Sequence, residues 1–230
     1  FNHAYNFNKP LNDWDVSNVT SMDSMFEGAE SFDQTLDKWN VKNVISMENM
    51  FNGAIEFNKN INNWDVKKVT NMNSMFSYAM EFNQPLDKWK TLNVINMGYM
   101  FSRAEKFNQS LNDWNVKNVK YMNSMFSHAE EFNQPLNNWD VSNVTNMNAM
   151  FYSNSVFNKP INTSVKEKAD GSKYLAWDTK NVTDLNQMFD NNKAFNQDIS
   201  HWNTSNATTM AMMFENSTKF NKTITEINES

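Results

Sequence analysis

Residues 132–156 read FNQPLNNWDVSNVTNMNAMFYSNSV, and most of the 230-residue chain is this stretch repeated. Its first residue, Phe132, recurs every 25 residues, and after one interruption the spacing returns between Phe195 and Phe220. Self-similarity at a fixed period of 20–50 residues is typical of repeat arrays, in which each unit buries its apolar face against its neighbours. The period therefore predicts one elongated domain over residues 1–230.

The repeat boundaries follow the phenylalanines. The chain divides into 1–6 (the tail of a preceding repeat), 7–156 (six regular repeats), 157–194 (a repeat with a 13-residue insert), 195–219 (the eighth repeat) and 220–230 (a partial C-terminal repeat). In the partial repeat, Ile227 stands where tryptophan is expected. Because Phe1 aligns with Phe26, we expect a fragment of a longer protein, with any signal or anchor outside it.

Two periodicities are separable within one repeat. Trp14 and Val16 alternate with polar neighbours, which favours a half-buried strand. The second half carries Met22, Phe26 and Ala29 at spacings that place them on one helical face. The pattern predicts an α/β leucine-rich-repeat-like solenoid, with a parallel sheet on one face and short helices or 3₁₀ turns on the other.

One column accounts for every tryptophan and is the predicted structural core. We expect these rings to stack inside the sheet at the spacing of paired strands, roughly 4.8 Å. Its members are Trp14, Trp39, Trp64, Trp89, Trp114, Trp139, Trp177 and Trp202.

The repeat F-N-Q-P-L-x-x-W-D-V-S-N-V-T-x-M-x-x-M-F resembles that of the BspA-type leucine-rich-repeat surface proteins of host-associated bacteria. Among the residues that carry the resemblance are Phe132, Trp139, Asn143, Met147 and Phe151. The resemblance implies a secreted or lipid-anchored surface protein, a lipoprotein in the second case, that acts in adhesion. It brings no catalytic residues.

Composition excludes several classes of function. The net charge is -6 and there is no long basic run, so we expect no nucleic-acid partner. No stretch of 18 apolar residues occurs, so no membrane-spanning segment is expected. Cysteine is absent, and no pairing of a nucleophile with a base recurs among the repeats. We therefore expect neither a cofactor nor enzymatic activity.

The outward residues of the predicted strand are the first candidate for binding a protein ligand. One column leans acidic and its neighbour basic, which is also what a solvated sheet with weak charge pairs would show. The insert, with a tight turn expected at Asp170–Gly171, adds further lysines. The candidates are Asp15, Lys42, Asp65, Lys67, Lys90, Lys117, Asp140, Asp178, Lys180, Lys166, Lys168 and Lys173.

Two further sets of residues are candidate sites. Asn115, Asp140, Asp178 and Asn203 are consecutive in one column and offer four oxygens. Calcium requires 6–8 oxygens arranged around it, whereas a column offers a line, so no metal site is expected. Tyrosines at variable positions form a second candidate patch for protein binding. They are Tyr78, Tyr99, Tyr121 and Tyr152.

The leading hypothesis from the sequence is a non-enzymatic recognition module on the outside of a bacterial cell. It would bind a host protein or a neighbouring surface protein through the repeat face. The alternative is a structural spacer that presents another domain at the cell surface. The identity of the ligand does not follow from the sequence.

Overall fold

The structure, a computed structural model, describes residues 1–224. Within them, the regular elements are two strands, β1 (Ser164–Glu167) and β2 (Lys173–Ala176), and no helix is present. The remaining described residues form turns that stack one repeat upon the next. The predicted α/β solenoid, with its parallel sheet and its helices or 3₁₀ turns, is therefore wrong. Ile227 lies outside the described residues.

The predicted strand around the tryptophan is absent because a tight turn lies on each side of this segment. The Trp14 N–H donates to the Leu11 carbonyl over 3.0 Å, and the Val19 N–H donates to the Val16 carbonyl over 2.9 Å. Parallel pairing does occur, but only as one isolated bridge between each pair of successive coils. These bridges lie a few residues beyond the segment predicted as a strand. The bridged residues are Ser21, Ser46, Asn71, Asn96, Tyr121, Asn146, Asp184 and Thr209.

The predicted helix is absent because the backbone N–H groups of this segment donate to other carbonyls than a helix requires. A helix needs each N–H to donate four residues back along the chain. Here the Met22 N–H donates to the Ser46 carbonyl of the next coil over 3.0 Å, while the Met25 N–H closes a turn on the Met22 carbonyl. Ser24 and Gly28 have φ values of 54° and 66°, so the backbone reverses hand twice within one short segment.

The second left-handed position recurs in every coil. Gly28 and Gly53 suit it, because a left-handed conformation costs other L-residues roughly 1–2 kcal/mol. A Cβ on Gly28 would also lie 2.5 Å from Nδ1 of His3. In the other coils the hydrogen bonds between coils hold larger residues in this conformation. The remaining members are His3, Tyr78, Arg103, His128, Ser153, Asn191 and Asn216.

The core is built from stacked aromatic rings. Phe26 packs on Phe32, the first residue of the next coil, with ring centroids 4.1 Å apart, and on Phe51, its own equivalent in that coil, at 5.5 Å. The tryptophans from Trp39 onward are buried, with Trp39 and Trp64 centroids 6.4 Å apart. This separation is that of offset rings rather than the 4.8 Å expected from strand spacing.

Trp14 departs from the predicted core. It is 52% exposed, and its ring meets that of Phe1 with centroids 5.8 Å apart. Each later tryptophan donates its indole N–H to a carbonyl of the preceding coil, as Trp39 does to Leu11 over 2.9 Å.

The 13-residue insert is an antiparallel hairpin rather than an irregular loop. Its strands pair Val165 with Leu175 and Lys166 with Tyr174. The predicted turn is present, with Gly171 at φ 80° donating to the Lys168 carbonyl over 2.9 Å. The Tyr174 hydroxyl donates to the Asn138 carbonyl over 2.7 Å, which ties the hairpin to the preceding coil.

Candidate binding groove

A groove of about 740 Å³ runs along the stacking direction across five coils. We call it the lysine groove. One wall comes from the residue just before the second valine of the Val-to-Val turn of each coil, and the other from the residue just after that valine. The lining residues are Ile45, Lys68, Thr70, Asn93, Ile95, Asn118, Lys120 and Asn143.

The first wall is held rigid by an asparagine ladder. The Asn93 amide donates to the Lys67 carbonyl over 2.6 Å, and the Asn118 amide donates to the Leu92 carbonyl over 2.9 Å. Lys68 interrupts this ladder, and its Nζ donates to Oδ1 of Asn43 over 2.8 Å. Each wall residue is thus bonded to the coil before it, so little order remains to be lost when a ligand binds.

The second wall is bonded along the stack by its own backbone. The Thr70 N–H donates to the Ile45 carbonyl, the Ile95 N–H to Thr70 and the Lys120 N–H to Ile95, each over 2.8 Å. Threonine occupies this position in most of the other coils. Ile45 and Ile95 replace it with aliphatic side chains that are 49% and 41% exposed.

Positive charge is concentrated around the lysine groove. In the three turn segments 65–70, 90–95 and 115–120, five lysines and one aspartate give a net charge of +4, in a chain whose net charge is -6. The equivalent segments 15–20 and 140–145 each carry -1. The one internal ion pair here, Lys67 Nζ to Asp65 Oδ2 at 3.7 Å, is exposed and weak. The groove therefore presents a local positive potential.

The lysine column predicted from the sequence only partly meets this groove. The backbone carbonyls of Lys67 and Lys117 accept the amides of the asparagine wall, so these two lysines adjoin the groove. Lys180 lies in a later coil and pairs with the carboxylate of Asp178 at 3.1 Å. Lys42 and Lys90 share the turn region of their own coils but do not line the groove.

The acidic column does not form a free binding face, because its side chains cap turns. Oδ1 of Asp15 accepts the Ser17 N–H over 2.9 Å, and Oδ1 of Asp140 accepts the Ser142 N–H over 3.2 Å. Hydrogen bonds from the Ser17 side chain and backbone lower the pKa of Asp15 below its usual value. These residues stabilise the repeat itself.

The four oxygens considered for calcium are engaged in the same way. Oδ1 of Asn115, Asp178 and Asn203 each accept the backbone N–H two residues later. Among the described residues, no group of three or more histidine, aspartate or glutamate side chains is placed to hold a metal ion.

The insert lysines lie on the hairpin. Lys166 pairs across the strands with Tyr174, and Lys173 pairs with Glu167. Nζ of Lys168 lies 5.5 Å from the centroid of the Tyr174 ring. These lysines belong to a second surface, which does not line the lysine groove.

The tyrosines form separate contacts rather than one described cluster. The guanidinium of Arg103 lies 5.3 Å from the centroid of the Tyr78 ring. Tyr152 meets the His128 ring edge-on at 5.2 Å. Tyr99 and Tyr121 are exposed in two other columns.

The groove residues that depart from the repeat were not among the binding sites predicted from the sequence. Ile45, Ile95 and Lys120 replace threonine, and Lys68 replaces asparagine. Reading each column for departures from its usual residue would have found them. That the two columns face each other across one groove follows only from the turn between them, which the predicted strand concealed.

Among the comparisons with known proteins, only a family model matches the chain. A family described as "Mycoplasma protein of unknown function, DUF285" matches residues 1–112, 82–175 and 165–230, which together span the chain. No curated protein and no solved structure matches. Across residues 1–224, no helix has the length and hydropathy needed to cross a bilayer.

Proposed function

Since this chain belongs to the DUF285 family of Mycoplasma proteins, a repeat family of unknown function, we propose that it is a non-enzymatic protein-binding module. It binds an acidic segment of a partner protein in the lysine groove. We further propose that it works at a cell surface, where the partner is a host protein or a neighbouring surface protein.

The observation that carries this proposal is the composition of the groove. Lys68 and Lys120 supply charge, and the exposed Ile45 and Ile95 supply apolar contact within the same cleft. Exposed aliphatic residues in a polar repeat column have no use in the stack, since threonine serves there in most other coils. The lysines attract an acidic partner over a distance of about 10 Å and lose that attraction as salt rises.

The cell-surface assignment rests on the sequence resemblance of the repeat to BspA-type surface proteins. It is tested by treating intact cells that make the full-length protein with an external protease. Cleavage of the repeats without lysis supports a surface location, and protection until lysis contradicts it.

Binding is tested by fluorescence anisotropy with a labelled acidic peptide that also contains valines. The matched variant is K68N/K120T, which restores the usual residue of each column. We expect it to weaken binding by about tenfold, corresponding to about 1.4 kcal/mol for two charge contacts in the groove. The control is K159Q, which removes one lysine outside the groove, again for the usual residue of its column. Equal loss in both proteins, or no loss, would contradict a groove-specific site.

A spacer function has one observation in its favour. Parallel bridges join all eight coils in series, which gives a stack with regular contacts from coil to coil. A spacer binds no ligand, so the same anisotropy series separates the two functions. Flat titrations with acidic and neutral peptides alike would favour the spacer.

A further inference from the structure

The groove presents its matched groups at a regular spacing. Successive coils are joined by parallel bridges, which set about 4.8 Å between neighbouring coils. Ile45 and Ile95 lie two coils apart on the second wall. Lys68 lies on the first wall one coil beyond Ile45, and Lys120 lies on the second wall one coil beyond Ile95. The two isoleucines are therefore about 9.6 Å apart along the groove, and each is followed by a lysine about one coil, or 4.8 Å, further on.

This spacing selects among the conformations that an extended partner can adopt. A polyproline II segment rises about 3.1 Å per residue with three residues per turn, so every third side chain faces the same way at about 9.3 Å. Side chains on one face of a β-strand recur at about 6.6 Å and lose register with the isoleucines after one step.

We propose that the occupant of the lysine groove is an acidic polyproline II segment with apolar side chains at every third position. The inference rests on the proposed protein-binding function. The apolar residues contact Ile45 and Ile95, while the carboxylates that lie between successive apolar residues meet Lys68 on one wall and Lys120 on the other.

The asparagine wall supplies the remaining contacts. Within the described residues, Oδ1 of Asn93 and of Asn118 accepts no hydrogen bond, since each amide is anchored only through its Nδ2. A polyproline II backbone has no internal hydrogen bonds and keeps its N–H groups available. Amides of the non-proline residues can therefore donate to this wall. A polyanionic sugar would satisfy the lysines but would leave the isoleucines without an apolar partner.

The experiment compares two labelled nonapeptides of identical composition. One contains Val-Pro-Glu three times. The other has the same nine residues shuffled, so that valine and glutamate no longer recur every third position. Anisotropy titrations against the full chain should show the period-three peptide binding at least about fivefold tighter, with the difference abolished in I45T/I95T. That variant restores threonine, the usual residue of the column, and leaves both lysines in place.

The possible outcomes separate this inference from the proposed function. Equal binding of both peptides, with both lost in K68N/K120T, overturns the period-three inference and leaves acidic-peptide binding intact. Failure of both peptides to bind overturns both proposals. A third outcome is that heparin binds tightly, that its binding depends on Lys68 and Lys120, and that neither nonapeptide competes with it. This result would assign the groove to a polyanionic sugar and overturn the peptide occupant.

Discussion

The regular coil 132–156 and the insert coil 157–194 solve the same packing problem with different lengths of chain. In the regular coil, the Trp139 N–H donates to Leu136 three residues earlier over 3.1 Å. In the insert coil, the hairpin separates Trp177 from Ile161, which is the equivalent of Leu136. The backbone N–H of Trp177 donates instead to the Trp139 carbonyl over 3.0 Å. Both indoles still donate to the leucine of the preceding coil, Trp139 to Leu111 and Trp177 to Leu136.

The difference shows that the columns, not the spacing along the chain, define the fold. The insert enters immediately before the tryptophan, at a position whose side chains are polar in every regular coil. Extra residues there leave the buried Phe, Trp and Met columns in place, so the aromatic stack continues through Phe151, Phe189 and Phe214 at 5.7 and 5.4 Å.

The largest expected effect is the loss of a buried tryptophan, and it should be equal in both kinds of coil. Trp114 is 3% exposed and stacks on Trp89 at 6.2 Å, and Trp177 is fully buried and stacks on Trp202 at 5.8 Å. Each change to alanine should lower the free energy of unfolding by about 3–5 kcal/mol in a urea melt. Trp14→Ala is the control and should cost less than about 1.5 kcal/mol, because half of that ring is already exposed. A much smaller cost for Trp177 than for Trp114 would break the equivalence of the two coils.

The next effect concerns how a coil closes before the first phenylalanine of the following coil. In the earlier coils this corner is alanine, and the Glu131 N–H reaches back to the Glu105 carbonyl over 3.0 Å. At the end of the regular coil 132–156 the corner is Asn154, whose Oδ1 accepts the Val156 and Phe157 amides while its Nδ2 donates to the Phe132 carbonyl.

Asn154→Ala should therefore destabilise the protein although it restores the usual residue. Three backbone groups in a buried corner lose their partner, which should cost about 1–3 kcal/mol. Asn192→Ala in the insert coil is the matched variant, since Oδ1 of Asn192 accepts the Ala194 and Phe195 amides in the same way. Urea melts of both proteins check this. An increase in stability from either change would show that the corner can revert to the alanine geometry.

Removal of the hairpin should have a smaller effect. Deleting residues 163–175 restores the 25-residue period and lets Trp177 follow Asn162 at the regular distance. The described bonds lost include the Tyr174 hydroxyl to Asn138 and the Thr163 hydroxyl to the Trp177 carbonyl, so we expect a change within about 1–2 kcal/mol. Tyr174→Phe isolates the first bond and should cost about 1 kcal/mol. A cooperative loss of structure after the deletion would mean that the hairpin is part of the stack.

The sequence predicted burial better than it predicted backbone conformation. The columns of Met22, Phe26 and Ala29 are buried through most of the chain as the periodicity implied, although Met210 in the eighth repeat is 40% exposed. The same spacing suits a helix and a run of tight turns, and only the left-handed residues separate the two. Gly28 and Gly53 marked one such position, but Ser24 and its equivalents carry no distinctive residue.

The site was predicted less well than the core. Lys67 and Lys117, two of the predicted binding residues, adjoin the groove, whereas Lys120, Ile45 and Ile95 line it as departures from a threonine column, which periodicity does not mark as a site. Their juxtaposition depends on a turn that the predicted strand replaced. The parallel sheet expected from the sequence is wrong. The described residues hold only isolated parallel bridges between coils, because the hydrogen bonding of a repeat cannot be read from side-chain periodicity.

The smallest expected effect is a pH dependence carried by His128, which the insert coil lacks because Asn191 stands at the equivalent position. Burial of the ring, and then the nearby Arg103, hold the pKa of His128 below its usual 6.5. The folded protein thus favours the neutral imidazole, whose Nδ1 lies 3.0 Å from the Ser127 hydroxyl. As pH falls below 6.5 the unfolded chain gains its proton first, so the free energy of unfolding should decline until the folded pKa is passed.

The decline attributable to His128 should stay under about 1 kcal/mol, because much of the ring is in contact with solvent. It is measured as the difference between wild type and His128→Ser in urea melts above and below pH 6.5, since carboxylates titrate in both proteins and cancel. Serine is the residue of this column in the next coil, at Ser153, and it keeps the left-handed conformation there. Arg103→Ser should reduce the dependence without abolishing it, because burial is the larger cause. Parallel stability curves for wild type and His128→Ser would place the ring in solvent and remove this difference between the two kinds of coil.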